Sequence, residues 1–504
     1  MTTSLLRESY EELTYPSYSF AQTHPDRLAT LGWLFGLTPA AVDRCRVLEL
    51  GCSAGGNLIP MAATLPHSEF VGIDFSATTI GRGVADIAAL QLTNIRLVQM
   101  DIRDFEPAFG TFDYIIAHGV YSWVPPDARE SALAICARQL GSNGIAYVSY
   151  NTLPGWHARG AVRDAMRYHT RQIADVKTKV LQARAMLDFL AESLQATAST
   201  WGAMLLEEAQ RVRQMPDGYI YHDHLETVND PVYFHEFIEH AAKHGLRYLA
   251  EADFRSMLGG ELSPQVGQTL ARIAPDLLQR EQFLDFLRNQ TFRQTLLTHQ
   301  SATLTRKVSP ERIFGLRIAT QAQPVSAWPD ENSDAPEVFR APEGGSLTTG
   351  RPFTKAAMMA LAHHSPAAIG FDALFGLAQA RLGARHAAGN DDRNALASDL
   401  LQAFAAGVVE LHSMPSPFVT QPGTQPQASA VAILQASRGA QVTNLRHDWI
   451  TIDNETRRLL PMLTGGRREQ ELAMLAWPNA PAHEALEKLR QALSRFARQA
   501  LLAS

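Results

Sequence analysis

Residues 47–57 read VLELGCSAGGN. An apolar, strand-like run opens into a turn that holds Gly51, Gly55 and Gly56. Glycine lets a backbone turn tightly and approach a ligand closely, because no Cβ stands in the way. The dinucleotide pattern G-x-G-x-x-G is not met, and the G-K-[ST] of a P-loop is absent. Three acidic residues give the turn its chemistry. Glu49 lies at the tip of the apolar run, Asp74 ends the run EFVGID and Asp101 ends IRLVQMD. Asp74 comes 23 residues after Gly51, where an acid can accept both hydroxyls of a ribose. Asp101 is placed to accept from an exocyclic adenine amine, and Glu49 to meet a ligand amine or to structure the turn. Acids at three successive strand ends suit a nucleoside that carries positive charge. S-adenosylmethionine, with its sulfonium and α-amino group, fits such a site better than anionic NAD or ATP. The competing reading is that Asp74 and Asp101 only cap the helices that follow.

The elements that hold these residues alternate regularly. Strands are expected at Arg46–Leu50, Glu69–Phe75, Ile95–Asp101, Phe112–His118 and Ile145–Tyr150. Helices are expected at Ala54–Thr64, Ala77–Leu90 and Asp127–Leu140. Such alternation, with apolar β-branched strands, implies a parallel sheet covered on both faces. From 157 to 215 the period is helical, with Val176, Val180, Ala183, Leu187, Leu190 and Leu194 on one stripe. That stripe reads more readily as core than as an interface. The α/β pattern then resumes, with a helix over 233–244, strands over 246–251 and 292–297, and a helix over 280–289. The fold class is therefore α/β, with one domain over 1–305 and a helical insertion at about 155–230. Pro324, Pro329, Pro336, Pro342 and Pro352 mark 306–352 as a linker or irregular connection. Helices closing on GVVEL suggest a winged-helix-like domain over 353–415, and 428–504 forms a small C-terminal domain. Its last stripe is Leu486, Leu489, Leu493, Phe496 and Ala500.

The chain resembles the class I S-adenosylmethionine-dependent methyltransferases, whose Rossmann-like sheet has seven strands. It is most similar to the bacterial members with a methyltransferase regulatory domain, which include lysine methyltransferases of outer-membrane proteins. The resemblance is carried by YPSYSFAQTHPDRLATLGWLFG (15–36), LELGCSAGGNLIPMA (48–62), AHGVYSWVPPDAR (117–129), SYNTLPGW (149–156) and residues 222–254. It covers most of 10–255 and is fainter beyond 300, where TNLRH (443–447) also looks familiar. The usual E-x-G-x-G-x-G has Ser53 at its second glycine, which fits if the φ of Ser53 stays negative. The resemblance implies that Glu49, Gly51, Cys52, Ser53, Gly55 and Asn57 surround the methionine part of S-adenosylmethionine. Asp74, Phe75 and Ser76 would meet the ribose and adenine, and Asp101 and Ile102 the adenine. His118 and Gly119 would face the transferable methyl. Tyr15, Tyr18, Gln22 and His24 would belong to a lid over the cofactor. The resemblance also implies pairing between subunits through the helical insertion.

Methyl transfer is an in-line displacement at carbon. Proximity and alignment supply most of the barrier reduction, so a strong general base is not compulsory. A lysine amine attacks only when neutral, and an apolar mouth favours that form. His118, Tyr121, Trp123, Asn151 and Trp156, with Tyr150, are the candidates for such a mouth, where aromatic rings also attract a cation. The alternative for Tyr121 and Trp123 is aromatic core, and for His118 a satisfied buried histidine. Adenine- and glutamine-methylating enzymes usually carry [DN]-P-P-[YFW] after the fourth strand. His118-Gly119-Val120-Tyr121 stands there instead, which disfavours planar-amide and adenine acceptors. No H-E-x-x-H occurs among His222, His224, His235, His240 and His244, so no metal site is expected.

Bulk properties bound the rest. The 504 residues, 46% apolar and 19% charged, favour several globular domains over disorder. A net charge of −6 provides no basic field for nucleic acid or anionic lipid. Residues 421–504 hold ten Lys/Arg against seven Asp/Glu, too small an excess to assign a polyanion partner. Three scattered cysteines, Cys45, Cys52 and Cys136, suggest a reduced compartment. No signal peptide or membrane span is expected. The expected function is transfer of a methyl group to an amine, most simply protein lysine, in the cytoplasm. A small-molecule methyltransferase and a non-catalytic scaffold are the alternatives.

Overall fold

The computed structural model describes residues 17–195, 199–258, 262–383 and 389–504. Seven strands form one sheet: β1 (Arg46–Leu50), β2 (Glu69–Asp74), β3 (Ile95–Gln99), β4 (Phe112–Ala117), β5 (Leu140–Asn151), β6 (Leu246–Glu251) and β7 (Phe292–His299). Their order is β3-β2-β1-β4-β5-β7-β6. The pairings among β1 to β5 are parallel, and β7 runs antiparallel to both β5 and β6. This is the Rossmann-like methyltransferase sheet. Successive side chains of a strand point to opposite faces. Val47 and Tyr114 accordingly join one buried cluster, and Leu48 and Ile115 join the other. The chain leaves β1 toward β2 and β3, then returns to the other side for β4. That reversal opens a crevice at the carboxyl ends of β1 and β4, where an open α/β sheet holds its ligands.

The helix after the Gly-rich turn begins at Leu58, not at Ala54. Gly51, Ser53 and Gly55 all have positive φ, of 72°, 49° and 74°, so the intervening backbone cannot be α-helical. The negative φ expected for Ser53 is therefore corrected: this Ser occupies the left-handed region that the family pattern fills with glycine.

After β5, helices Trp156–Thr170, Val176–Gln195 and Thr200–Arg213 form a layer with its own core. Val180, Ala183 and Leu187 are buried within it, so this chain's own helices cover the middle of the sequence stripe. The layer ends in a π-helical turn, Ile220–Leu225, before helix Phe234–Lys243 returns the chain to the sheet. Arg293 of β7 ties that return together. Its buried guanidinium contacts Glu251 at 2.7 Å, Glu281 at 3.1 Å and Asp285 at 2.8 Å.

The stretch expected as a connection, 306–352, carries strands Arg317–Thr320, Gln323–Pro324, Glu337–Arg340 and Ser346–Thr349. Arg317–Thr320 pairs with Ile369–Gly370 and Val409–His412, so this stretch and the helices of 353–415 share one sheet. The proline-rich loop is held by a buried cation. Lys355 Nζ donates to the carbonyls of Asp330, Ser333 and Ala335 at 2.7, 2.5 and 3.0 Å. Last in the chain, helix Ala430–Arg438, a hairpin (Gln441–Thr443 and Trp449–Thr451) and helix Ala482–Arg498 enclose a further core. Among the described residues no helix is long and apolar enough to cross a membrane.

Candidate functional site

A cavity of about 400 Å³ opens over the carboxyl ends of the parallel strands. Each parallel strand delivers one predicted residue to it. Glu49 comes from β1, Asp74 from the end of β2, Asp101 from beyond β3, His118 from beyond β4 and Asn151 from the end of β5. Tyr18, Gly51, Cys52, Ser53, Asn57, Phe75, Ser76, Ile102, Gly119, Trp123 and Trp156 line it as well.

Glu49 is fully buried. Its Oε1 accepts from Asn57 Nδ2 at 2.8 Å, while its Oε2 has no hydrogen-bond partner among the described residues. Burial pushes the carboxyl up to about 8; the Asn57 bond opposes the rise and Asp74 adds to it. A buried carboxyl with an open acceptor requires a cationic or hydrogen-bonding partner, and an α-ammonium supplies one. Asp74 accepts from the backbone N–H of Ser53 and of Ser76, each at 2.9 Å. Burial raises its pKa, and those two N–H groups oppose the rise. Gly51, at φ 72°, makes the turn that brings Ser53 N to this acid. At Gly56 a Cβ would lie 2.3 Å from the Ser17 carbonyl oxygen, so only glycine admits the N-terminal segment there. The donor set fits S-adenosylmethionine: an acid with an open oxygen at one end, a backbone-braced acid at the next strand and an aromatic wall beyond.

Asp101 behaves differently. Both its oxygens are engaged by Arg103, at 2.6 to 3.0 Å, and it caps the short helix Ile102–Asp104. The Arg103 guanidinium holds its carboxyl below the usual range. Asp101 lines the cavity through a carboxylate that is already paired, with Ile102 beside it.

His118 packs on Phe20 with ring centroids 3.9 Å apart, and its Nδ1 lies 2.9 Å from the Tyr147 hydroxyl. Burial lowers its pKa to about 4, so it is neutral near pH 7 and a weak proton acceptor. Trp123 and Trp156 meet edge to face at 6.3 Å. The Trp156 indole N–H has no hydrogen-bond partner among the described residues. Asn151 Nδ2 donates to Asn229 at 2.8 Å.

Five predicted residues, Tyr121, Tyr150, His24, Gln22 and Gly55, lie away from the cavity wall. Tyr121 is a core residue: it packs on Phe237 and Tyr150, and its hydroxyl meets His240 Nδ1 at 2.8 Å. It is the second residue past Gly119, and the turn sends its ring under the sheet. His240 Nε2 and His244 Nε2 both face Glu130, at 2.7 and 3.0 Å. These contacts join the returning helix to helix Pro126–Gln139. His24 caps helix Pro25–Leu34 by accepting from Asp26 N. Gln22 hydrogen-bonds to Tyr147, and Gly55 backs the turn against Leu97 and Ile59. Tyr15 lies outside the described residues. All three cysteines are buried and free.

Two more walls complete the cavity, one from the N-terminal segment and one from the helical insertion. Ser17 Oγ accepts from Gly56 N at 2.8 Å, and Phe20 N donates to Asn57 Oδ1 at 3.0 Å. The far wall comes from both ends of the helical insertion: Arg159 from its first helix, and Arg211, Tyr219, His222, Asp223 and His224 from its last part. Burial pushes the Asp223 carboxyl up to about 7, with Arg211 opposing the rise. The sequence signal of this wall is the HDH run at 222–224, which opens the stretch of resemblance over 222–254 and lacks the spacing of a metal site.

A methyltransferase-domain family matches residues 47–144, a predicted methyltransferase regulatory domain matches 216–299, and a PKMT C-terminal winged-helix domain matches 424–477. The winged-helix match thus falls on the last segment, whereas 353–415 was the expected place. An uncharacterized protein of Rickettsia prowazekii, RP789, is 34% identical over 454 residues, which span 88% of this chain and 81% of that protein. A second, RP028 of the same organism, is 38% identical over 241 residues, 48% of this chain and 96% of that one. The solved structure of PKMT2 from Rickettsia typhi in complex with AdoHcy superposes with a TM-score of 0.87 at 29% identity. It covers 97% of this chain and 100% of that one.

Proposed function

Because the chain belongs to the S-adenosylmethionine-dependent methyltransferases that carry a methyltransferase regulatory domain, we propose that it methylates an amine nitrogen, that of a protein lysine. It is an enzyme, and S-adenosylmethionine is its cofactor. When bound, the cofactor supplies a methyl group on a positively charged sulfur. The observation that carries the reading is the open Oε2 of buried Glu49 beside the backbone-braced Asp74. Glu49 and Asn57 would hold the amino-acid end and Asp74 the ribose. Ile102 and Phe75 would flank the adenine.

The acceptor end is read from the opposite wall. Trp123 and Trp156 offer ring faces to an incoming ammonium, and their apolar surface favours its neutral, attacking form. Asp223 is the wall group suited to take the released proton, since its pKa lies near neutrality. His118 is too weak a base for that step and acts by shape. A net charge of −6 supports a protein acceptor over nucleic acid. We place the reaction in the cytoplasm, where an envelope protein would be met before export.

Incubating the chain with methyl-labelled cofactor and cell fractions tests the acceptor class. Label in a protein band, recovered as methyl-lysine after hydrolysis, is the expected result. Label confined to small molecules supports the alternative acceptor class instead. We also propose self-association through the helical insertion, whose outer face exposes Leu181, Phe189 and Trp201. Light scattering is expected to give twice the chain's 55.4 kDa; a monomer mass at micromolar concentration rejects it.

A further inference from the structure

The motif TNLRH (443–447) has no place in the site described so far, yet its last residue reaches it. His447 stands at the tip of the C-terminal hairpin, 390 positions from Asn57 in sequence, and its Nε2 lies 2.8 Å from Asn57 Oδ1. Asn57 is a branching point. Its Oδ1 also accepts from Phe20 N at 3.0 Å, and its Nδ2 donates to Thr23 Oγ1 at 2.9 Å and to Glu49 Oε1 at 2.8 Å. One amide thus joins the Gly-rich turn, the N-terminal segment, β1 and the hairpin.

His447 is only 5% exposed, and its φ is +67°, a conformation costly for a residue with a Cβ. Surrounding structure holds it there. Leu445 N donates to the Ala500 carbonyl at 2.8 Å, and Asn444 Nδ2 donates to the Gln499 carbonyl at 3.1 Å. Strain maintained at a buried contact points to a role for that contact. Burial lowers the imidazole's pKa well below its ordinary value. A neutral ring puts no positive charge beside a cationic cofactor. The hairpin makes a second contact of the same kind: Trp449 packs on Tyr18, a cavity-lining residue, with ring centroids 5.0 Å apart.

We propose that His447 is a positioning residue of the cofactor pocket, holding Asn57 and through it Glu49, so that the C-terminal domain is a working part of the catalytic site. The proposal rests on the assignment of the cavity to S-adenosylmethionine. It acts at the amino-acid end, where Glu49 lies, and leaves the nucleoside end alone.

The test is calorimetric titration of the full chain with S-adenosylhomocysteine and with 5′-methylthioadenosine, which lacks the amino-acid group. His447→Ala is expected to weaken S-adenosylhomocysteine about tenfold, the worth of one buried hydrogen bond. It should weaken 5′-methylthioadenosine less than about threefold. His447→Gln keeps an N–H donor and carries the same backbone strain as the alanine variant, so it should recover most of the loss. Unchanged S-adenosylhomocysteine affinity in His447→Ala overturns the proposal. So does an equal loss for both ligands, or a glutamine variant no better than alanine. Failure of the unaltered chain to bind S-adenosylhomocysteine would overturn the cavity assignment, and the proposal with it.

Discussion

Asp74→Ala should weaken S-adenosylhomocysteine binding by about a hundred- to a thousandfold while the sheet stays folded. The carboxylate has two duties. It accepts from Ser53 N and Ser76 N at 2.9 Å each, which fixes the Gly-rich turn against the end of β2. In the proposed complex its remaining lone pairs accept from the ribose hydroxyls. A hydrogen bond to a charged group contributes about 1.5–3 kcal/mol, so two such bonds taken toward the lower end of that range amount to about 3–4 kcal/mol. That converts to the stated range at about 1.4 kcal/mol per factor of ten. The fold loses less, because the two freed N–H groups lie at the cavity edge, within reach of water. Asp74→Asn should fall between the two, since one of its two terminal groups is then a donor facing an N–H. Calorimetry gives the affinity, and circular dichroism gives the fold. Affinity within threefold of the unaltered chain would place the nucleoside elsewhere.

Glu49→Gln carries the second large effect and adds a pH signature. The Glu49 carboxyl is pushed up to about 8 by burial, so near pH 7 most molecules hold it protonated. An α-ammonium pairs only with the carboxylate. Binding therefore releases a proton below pH 8, and affinity rises up to about tenfold per pH unit toward that value. Above it affinity levels off, and it falls only where the ligand's own amine, held above the peptide α-amino range of about 7.7–8.0 by its adjacent carboxylate, loses its charge. The expected profile rises to about pH 8, where Glu49 ionises, and holds above it before the basic limb. Glu49→Gln removes the charge, flattens the acid limb and weakens binding at pH 8 about a hundredfold or more, because the ammonium is left buried without a counter-ion. The same raised pKa has a sign for stability. The folded chain holds this proton more tightly than the unfolded one, so the contribution is favourable at low pH and is lost as pH rises from about 4.5 through about 8. The ligand should therefore raise the unfolding temperature more at pH 8 than at pH 6. A pH-independent affinity in the unaltered chain would remove Glu49 from the site.

Residues whose role follows from a strand end were legible in the sequence. Glu49, Asp74 and His118 sit where a parallel sheet must deliver them, and the near-continuous burial of β1 and β4 on both faces left little freedom. Residues one or two positions beyond a strand were less secure. Tyr121 reads as a mouth aromatic by type and nearness, yet the turn after Gly119 sends it into the core. Asp101 stands in the right place but spends its carboxylate on Arg103, two residues away. Ser53 shows the converse: the loop keeps a left-handed turn without the glycine that normally marks it.

The strand-end half of the candidate site is legible in one dimension, because glycine and acid act over a few residues and their spacing survives there. What closes that site comes from long-range packing. Asp223 and Arg211 come from the end of an insertion, Phe20 from the N-terminal segment and His447 from a hairpin 390 positions beyond Asn57. None is specified by its neighbours in the chain. Each is placed by the packing of a separate hydrophobic core against the sheet, and such long-range packing leaves no local period to read. The proline-rich stretch 306–352 makes the same point: its composition reads as a connection, and three carbonyls closing on the buried Lys355 ammonium make it part of the fold.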